Sequence, residues 1–201
     1  MASDPVKETS GKVRVEAFSD AVIAIILTIM VLELKLPDAL ANGLDHAALM
    51  AVAPKFVAYA MSFLVLAIMW MNHRHLLDAV RQPSGGFLWL NNLLLFWMSL
   101  IPASTALLGE HPLAPTAAAL YGANLTLSAT TFTAMRVCLW RGERTDPALR
   151  QLHAAITGKS ALGAAVYGAS VPLAFLSVYA ALACFIVVPA VFFIPEGRRK
   201  T

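Results

Sequence analysis

The sequence predicts an all-α, polytopic membrane protein with six transmembrane helices per subunit, and three observations carry that expectation. Of 201 residues, 59% are hydrophobic and only 13% charged, with a mean hydropathy of +0.69, more apolar than a water-exposed surface tolerates. The apolar residues fall in long runs, at 21–34, 56–71, 87–108, 113–139 and 160–195, with turn formers and basic residues between them. At about 20 residues each, six spans use roughly 120 residues, which leaves tails and short loops but no room for a soluble catalytic module.

The first four runs each suit one crossing. The last is different: its 36 residues would extend about 54 Å as one helix, against a hydrocarbon core of about 30 Å. It must fold back, and residues 175–179 are the expected break. The resulting spans are 14–36, 50–72, 87–108, 113–139, 157–176 and 177–195, within a single membrane domain covering residues 1–201. Proline and glycine punctuate this map. Pro37 ends the first span, Pro54 begins the second, Gly85 and Gly86 precede the third, and residues 109–115 make an external turn. Pro102 lies within the third span and is expected to kink it, with Ser104 or Thr105 available to satisfy the freed backbone groups.

The net charge of +3 and pI near 9.0 are not read as a nucleic-acid signature, because the basic residues sit between apolar runs. They report topology instead. With the N-terminus in the cytoplasm, Lys7, Lys12, Arg14, Arg74, Arg81, Arg136, Arg141, Arg144, Arg150, Lys159, Arg198, Arg199 and Lys200 lie inside, and only Lys35 and Lys55 outside. Both termini are therefore expected in the cytoplasm of a bacterial inner-membrane protein. Residues 7–41 imitate a signal peptide, but Asp20 and Glu33 flank the apolar stretch and fit that role poorly, so it reads as a retained span. Cys138 and Cys184 lie in separate apolar runs and read as packing residues.

The first helix carries the most chemistry. At about 100° per residue, Phe18, Val22, Ile25, Ile29 and Leu32 lie within about 80° of one another and form one stripe, bordered by Thr28. Any apolar span offers such stripes to lipid or to neighbouring helices, so periodicity alone does not reveal a pore. Asp20 is more informative, since a carboxylate within a span costs several kcal/mol unless it is paired or wetted. It falls on roughly the opposite face from Ile25, level with Trp70, Asn72, His73 and His75 at the end of the second span. The favoured role is a clasp, with Asp20 accepting a hydrogen bond from the Trp70 indole or the His73 imidazole and Arg14 as countercharge. A sharper version makes His73 a proton sensor that loosens the clasp.

These residues resemble the prokaryotic members of the transmembrane protein 175 family of potassium channels. The resemblance rests on Arg14-x-x-x-Phe18-Ser19-Asp20, and continues through Val22-x-Ala24-Ile25, Thr28 and Val31-Leu32-Glu33-Leu34 to Pro37. Trp70-x-x-His73, the 102–105 segment and the 109–112 segment support it. The resemblance implies a homotetramer of six-span subunits around a central path lined by the first helix, with no Thr-Val-Gly-Tyr-Gly filter loop; this chain has none either. By the same resemblance, Ile25, Ile29 and Leu32 form stacked apolar constrictions with Thr28 as a nearby hydroxyl ring. Arg14, Phe18, Ser19, Asp20, Trp70 and His73 then form the network that holds the pore helix. Ala103 stands where the family often has Phe, which puts the local packing there in doubt but no pore residue.

The activity so implied is passive, modestly selective potassium flux with no cofactor and no metal beyond the permeating ion. The partners are potassium, the lipid bilayer and further copies of the chain, with no nucleic acid. A secondary transporter coupled to protons through Asp20 and His73 is the main alternative. A membrane-embedded enzyme is disfavoured, because His73-x-His75 puts the two imidazoles about 200° apart on a helix and no hydrolase or metalloprotease signature occurs. Glu33 either attracts cations at the external mouth or pairs with Lys35 or Lys55, and the pairing is preferred. Asn91 and Asn92 could line a cavity, though interhelical hydrogen bonding is the commoner use of such residues. The pentapeptides 120–124 and 166–170 resemble one another, as small-residue packing faces or an old duplication would.

Overall fold

A computed structural model describes residues 5–34, 46–80, 82–142 and 147–193. The described chain is helical throughout its ordered elements, and the six expected spans appear as seven helical segments because one span is broken in its middle. They are α1 (Pro5–Ile29), α2 (His46–Ala79), α3 (Gly85–Ser99), α4 (Ile101–Glu110), α5 (Pro115–Gly142), α6 (Pro147–Leu176) and α7 (Val178–Phe193). By length and hydropathy alone, 52–79, 85–110 and 156–176 are each sufficient to cross a membrane, and α7 is a shorter apolar helix. In α1 the charged side chains of Arg14, Glu16 and Asp20 interrupt the apolar stretch.

The third span breaks where the sequence places Pro102. Proline lacks the N–H that would bond four residues back and its ring crowds that carbonyl, so α3 stops at Ser99, Leu100 sits at the joint, and α4 restarts with the proline in its first turn. Leu100 N–H turns back to Trp97 O at 3.2 Å, and Ser104 N–H reaches Leu100 O at 3.1 Å. The nearby hydroxyls do bond to backbone, but both choose Ile101 O, Ser104 at 3.0 Å and Thr105 at 2.7 Å. The expected fold-back also falls within 175–179: α6 ends at Leu176, Ser177 bonds to Leu173 O at 2.7 Å, and α7 begins at Val178. The tip is apolar and uncovered, with Leu176 83% exposed. Pro37 lies outside the described residues.

The core gathers around α5, which packs most extensively against α6 and then against α3, while α7 lies against α6. Close approach of α5 and α6 depends on Gly122, in the first of the two similar pentapeptides. A Cβ on Gly122 would stand 2.3 Å from Ser170 Oγ, and one on Gly168 would be 3.6 Å from Thr126 Cγ2. Tyr121 and Tyr167, which precede these glycines, are both buried, and Tyr121 meets Phe185 edge to face with ring centroids 4.9 Å apart. Gly122 thus lets the two helix backbones come together as small residues do in lipid, whereas a Cβ on Gly168 would make only an ordinary contact. By contrast α1 stands at the margin of the bundle, packed mainly against α2 and α3.

Candidate functional site

Packing on one flank gives α1 two unlike faces. Ser19, Ile23, Ile26 and Met30 point into the bundle and are each 5% exposed or less. On the opposite side Phe18, Ile25, Ile29 and Leu32 are 55%, 56%, 42% and 73% exposed, and Thr28 is exposed with them. Four large apolar side chains on one uncovered stripe are what a helix shows when it lacks a partner in its own subunit. The expected stripe is therefore present with one correction: Val22 is half-buried and packs on the core, so it belongs to the margin of the buried face. Arg14 is exposed one turn before Phe18, on the same open side.

The open stripe has a polar detail. Thr28 donates its hydroxyl proton to Ile25 O at 2.9 Å, which leaves the oxygen lone pairs turned away from the helix. The α-helix then ends at Ile29 and the chain tightens into three-residue turns, with Leu32 N–H bonded to Ile29 O at 2.9 Å and Leu34 N–H to Val31 O at 3.1 Å. Leu32 thus stands beyond the α-helix proper, on the tightened turn.

The buried side of α1 is held by two separate polar contacts. Trp70 donates its indole N–H to Asp20 Oδ1 at 2.8 Å, a charge-assisted bond from α2 to a half-buried carboxylate. The clasp is thus made by Trp70. His73, fully buried, instead donates from Nε2 to Asn91 Oδ1 at 2.7 Å, and Asn91 Nδ2 donates to Ser19 Oγ at 3.0 Å. This joins α1, α2 and α3 through one amide. Asp20 and His73 do not hydrogen-bond to each other: the imidazole proton goes to Asn91, and His73 Nδ1 has no hydrogen-bond partner among the described residues. Arg14 is also outside the clasp, since Asp20 accepts from the indole and Arg14 is exposed. His75 is exposed while His73 is buried, which separates the two imidazoles as their spacing requires.

Asn91 is the residue that the motif did not include. Its signal was an amide inside the apolar run 87–108, where an unpaired polar group is costly, and it serves interhelical hydrogen bonding. A second buried cluster braces the broken third span: Ser62 Oγ lies 2.8 Å from the Tyr121 hydroxyl, and Thr105 Oγ1 lies 2.7 Å from Ser62 Oγ. At the other end of α1, Glu33 lines a pocket of about 10 Å³ with Lys55, Tyr59, Thr105 and Glu110. Lys35 lies outside the described residues.

The fold and this site define a multi-pass helical membrane protein whose marginal helix offers one uncovered, largely apolar face. A family model described as the endosomal/lysosomal potassium channel TMEM175 matches residues 14–102, the stretch that contains both α1 contacts. A protein from Chryseobacterium sp. (strain P1-3) named a potassium channel is 37% identical over 188 residues, spanning 93% of this chain and 95% of the relative. The crystal structure of a lysosomal potassium-selective channel TMEM175 homolog from Chamaesiphon minutus superposes with a TM-score of 0.80 at 31% identity, covering 91% of this chain and 96% of that one. The human endosomal/lysosomal proton channel TMEM175 is 36% identical over 103 residues, 47% of this chain and 20% of its own length. The chain belongs to the TMEM175 family, which is a family of ion channels and not of enzymes.

Proposed function

We propose that this protein is a passive potassium channel in which copies of α1 line a shared conduction path. The observation that carries this reading is the division of α1 into a packed face and an open face. Phe18, Ile25, Thr28, Ile29 and Leu32 are exposed together, whereas Ser19, Ile23, Ile26 and Met30 are buried. Four copies arranged with these faces inward, as a homotetramer, would cover the stripe and leave a narrow axis. Relatives named as potassium channels support potassium as the permeating ion.

On that axis Ile25, Ile29 and Leu32 act as apolar constrictions that gate by excluding water. The Thr28 hydroxyls, with their protons held by Ile25 O, turn oxygen lone pairs to a cation that has shed part of its hydration shell. A ring of single hydroxyls replaces few waters, so selectivity for potassium over sodium is modest. Flux follows the electrochemical gradient, and a small rotation or outward shift of the four α1 helices opens the constriction. The Trp70–Asp20 bond and the Ser19–Asn91–His73 contact set the rotation of α1 about its axis, and thereby which residues face inward.

The protein sits in the bacterial inner membrane with both termini in the cytoplasm. The distribution of basic residues supports that orientation, because only Lys35 and Lys55 then fall outside. Replacing Ile25 by Asn tests the constriction directly. A polar ring there holds water and raises conductance or leak, and an unchanged current would remove Ile25 from the pore.

A further inference from the structure

Helices α2, α5, α6 and α7 leave a cleft between them that α1 does not line. It encloses about 60 Å³ of free space, several times the roughly 10–15 Å³ that one water needs. Its walls are Val65, Met69, Phe132, Tyr167, Val188 and Phe192, with Asn72 and Ser160 as its polar contributors. A space of this size between apolar walls does not order water; it suits an aliphatic chain. Gly163 keeps one wall open, because a Cβ there would stand 3.3 Å from Phe192 Cε2 and 3.5 Å from Val188 Cγ1.

Two of the wall residues carry cations. The Arg136 guanidinium lies 4.8 Å from the Phe132 ring centroid, and the Lys159 ammonium lies 5.0 Å from the Phe192 ring centroid. Both make further contacts within the subunit. Arg136 is buried and Lys159 half-buried, and each stands against an aromatic wall of the cleft. An apolar slot with basic side chains against two of its aromatic walls is complementary to an amphiphile with an alkyl chain and an anionic head. Basic pockets between membrane helices take lipid headgroups on this basis.

We propose that the cleft binds one acyl chain of an anionic phospholipid, with its phosphate against Lys159. The proposal rests on the chain spanning a membrane and not on the pore assignment of α1.

The test uses the full-length protein reconstituted in phosphatidylcholine vesicles containing trace spin-labelled lipid, with the immobilised fraction read by electron paramagnetic resonance. Wild-type protein favours labelled phosphatidylglycerol over labelled phosphatidylcholine. Lys159→Gln lowers that preference by about fivefold, the fold-change for roughly 1 kcal/mol per basic residue, and Lys159→Arg retains it. Gly163→Leu and Ala129→Leu fill the cleft and reduce the immobilised component for both headgroups. Equal association of the two phospholipids with wild type and Lys159→Gln would overturn the proposal. So would cleft-filling variants that elute as wild type yet immobilise as much lipid, or a labelled fatty acid that displaces the phospholipid. If the filled variants do not fold, the Lys159 pair decides. Potassium flux measured in the same vesicles separates the two ideas, since its absence from wild type would count against the channel while leaving the lipid result intact.

Discussion

Trp70 donates its indole N–H to Asp20 across 2.8 Å, and the preceding residue of α1, Ser19, is held by a different span through Asn91. Adjacent residues of one helix are therefore fixed to two neighbours about 100° apart around its axis. This is how a helix at the edge of a bundle is kept from rolling, and it decides which stripe stays open.

Removing the donor exposes the strength of this fixing. Trp70→Phe leaves a half-buried carboxylate without its partner and is expected to cost about 1.5–3 kcal/mol, the range for hydrogen bonds to charged groups. Asp20→Asn keeps an acceptor and costs less. In a double-mutant cycle followed by unfolding in detergent, the two changes should be markedly non-additive, and additivity would mean that the bond contributes nothing to stability.

The amide at Asn91 should matter more than the serine it meets. Asn91→Leu strands both the Ser19 hydroxyl and His73 Nε2 in a fully buried position, at roughly 1–3 kcal/mol for each unsatisfied group. Ser19→Ala strands a single amide donor and should cost about half as much. Equal thermal shifts for the two variants would show that His73 does not depend on Asn91.

How much of this was legible beforehand follows from range. Composition, proline placement and the length of the last apolar run specify six spans, the break at Pro102 and the fold-back near Ser177, because each is a property of contiguous residues. The exposed stripe of α1 was legible from its period, except for Val22, whose burial depends on where α2 and α3 approach. Partner choice was not legible. Trp70 and His73 lie three residues apart on α2 and both fall level with Asp20, and only the position of α3 gives His73 to Asn91. The Ser62–Tyr121–Thr105 cluster was hidden for the same reason, as its members come from three helices.

The contact of α5 with α6 makes a prediction that does not involve the pore. Gly122→Ala places a methyl 2.3 Å from Ser170 Oγ and should destabilise the protein by about 1–3 kcal/mol, as overpacking does. Ser170→Ala removes the oxygen it strikes, so the double variant should recover most of the loss in thermal melting. Failure to recover would place the strain at Phe185, the next nearest neighbour at 3.3 Å.

If α1 lines the path as proposed, substitutions at Thr28 should separate conduction from selectivity. Thr28→Val preserves shape and removes the oxygen, so current through the channel should persist while its preference for potassium over sodium falls. Thr28→Ser should keep the preference. Reversal potentials under bi-ionic conditions report both, and an unaltered ratio in Thr28→Val would take this hydroxyl out of the ion path.

The central claim is that α1 lines a passive path for potassium, and recording purified protein in a planar bilayer with potassium on one side and sodium on the other tests it most directly. The expected result is unitary current steps that reverse on the potassium side of zero, with larger or leakier currents in Ile25→Asn. Slow, saturable exchange without unitary steps would contradict it and return the proton-coupled transporter to first place.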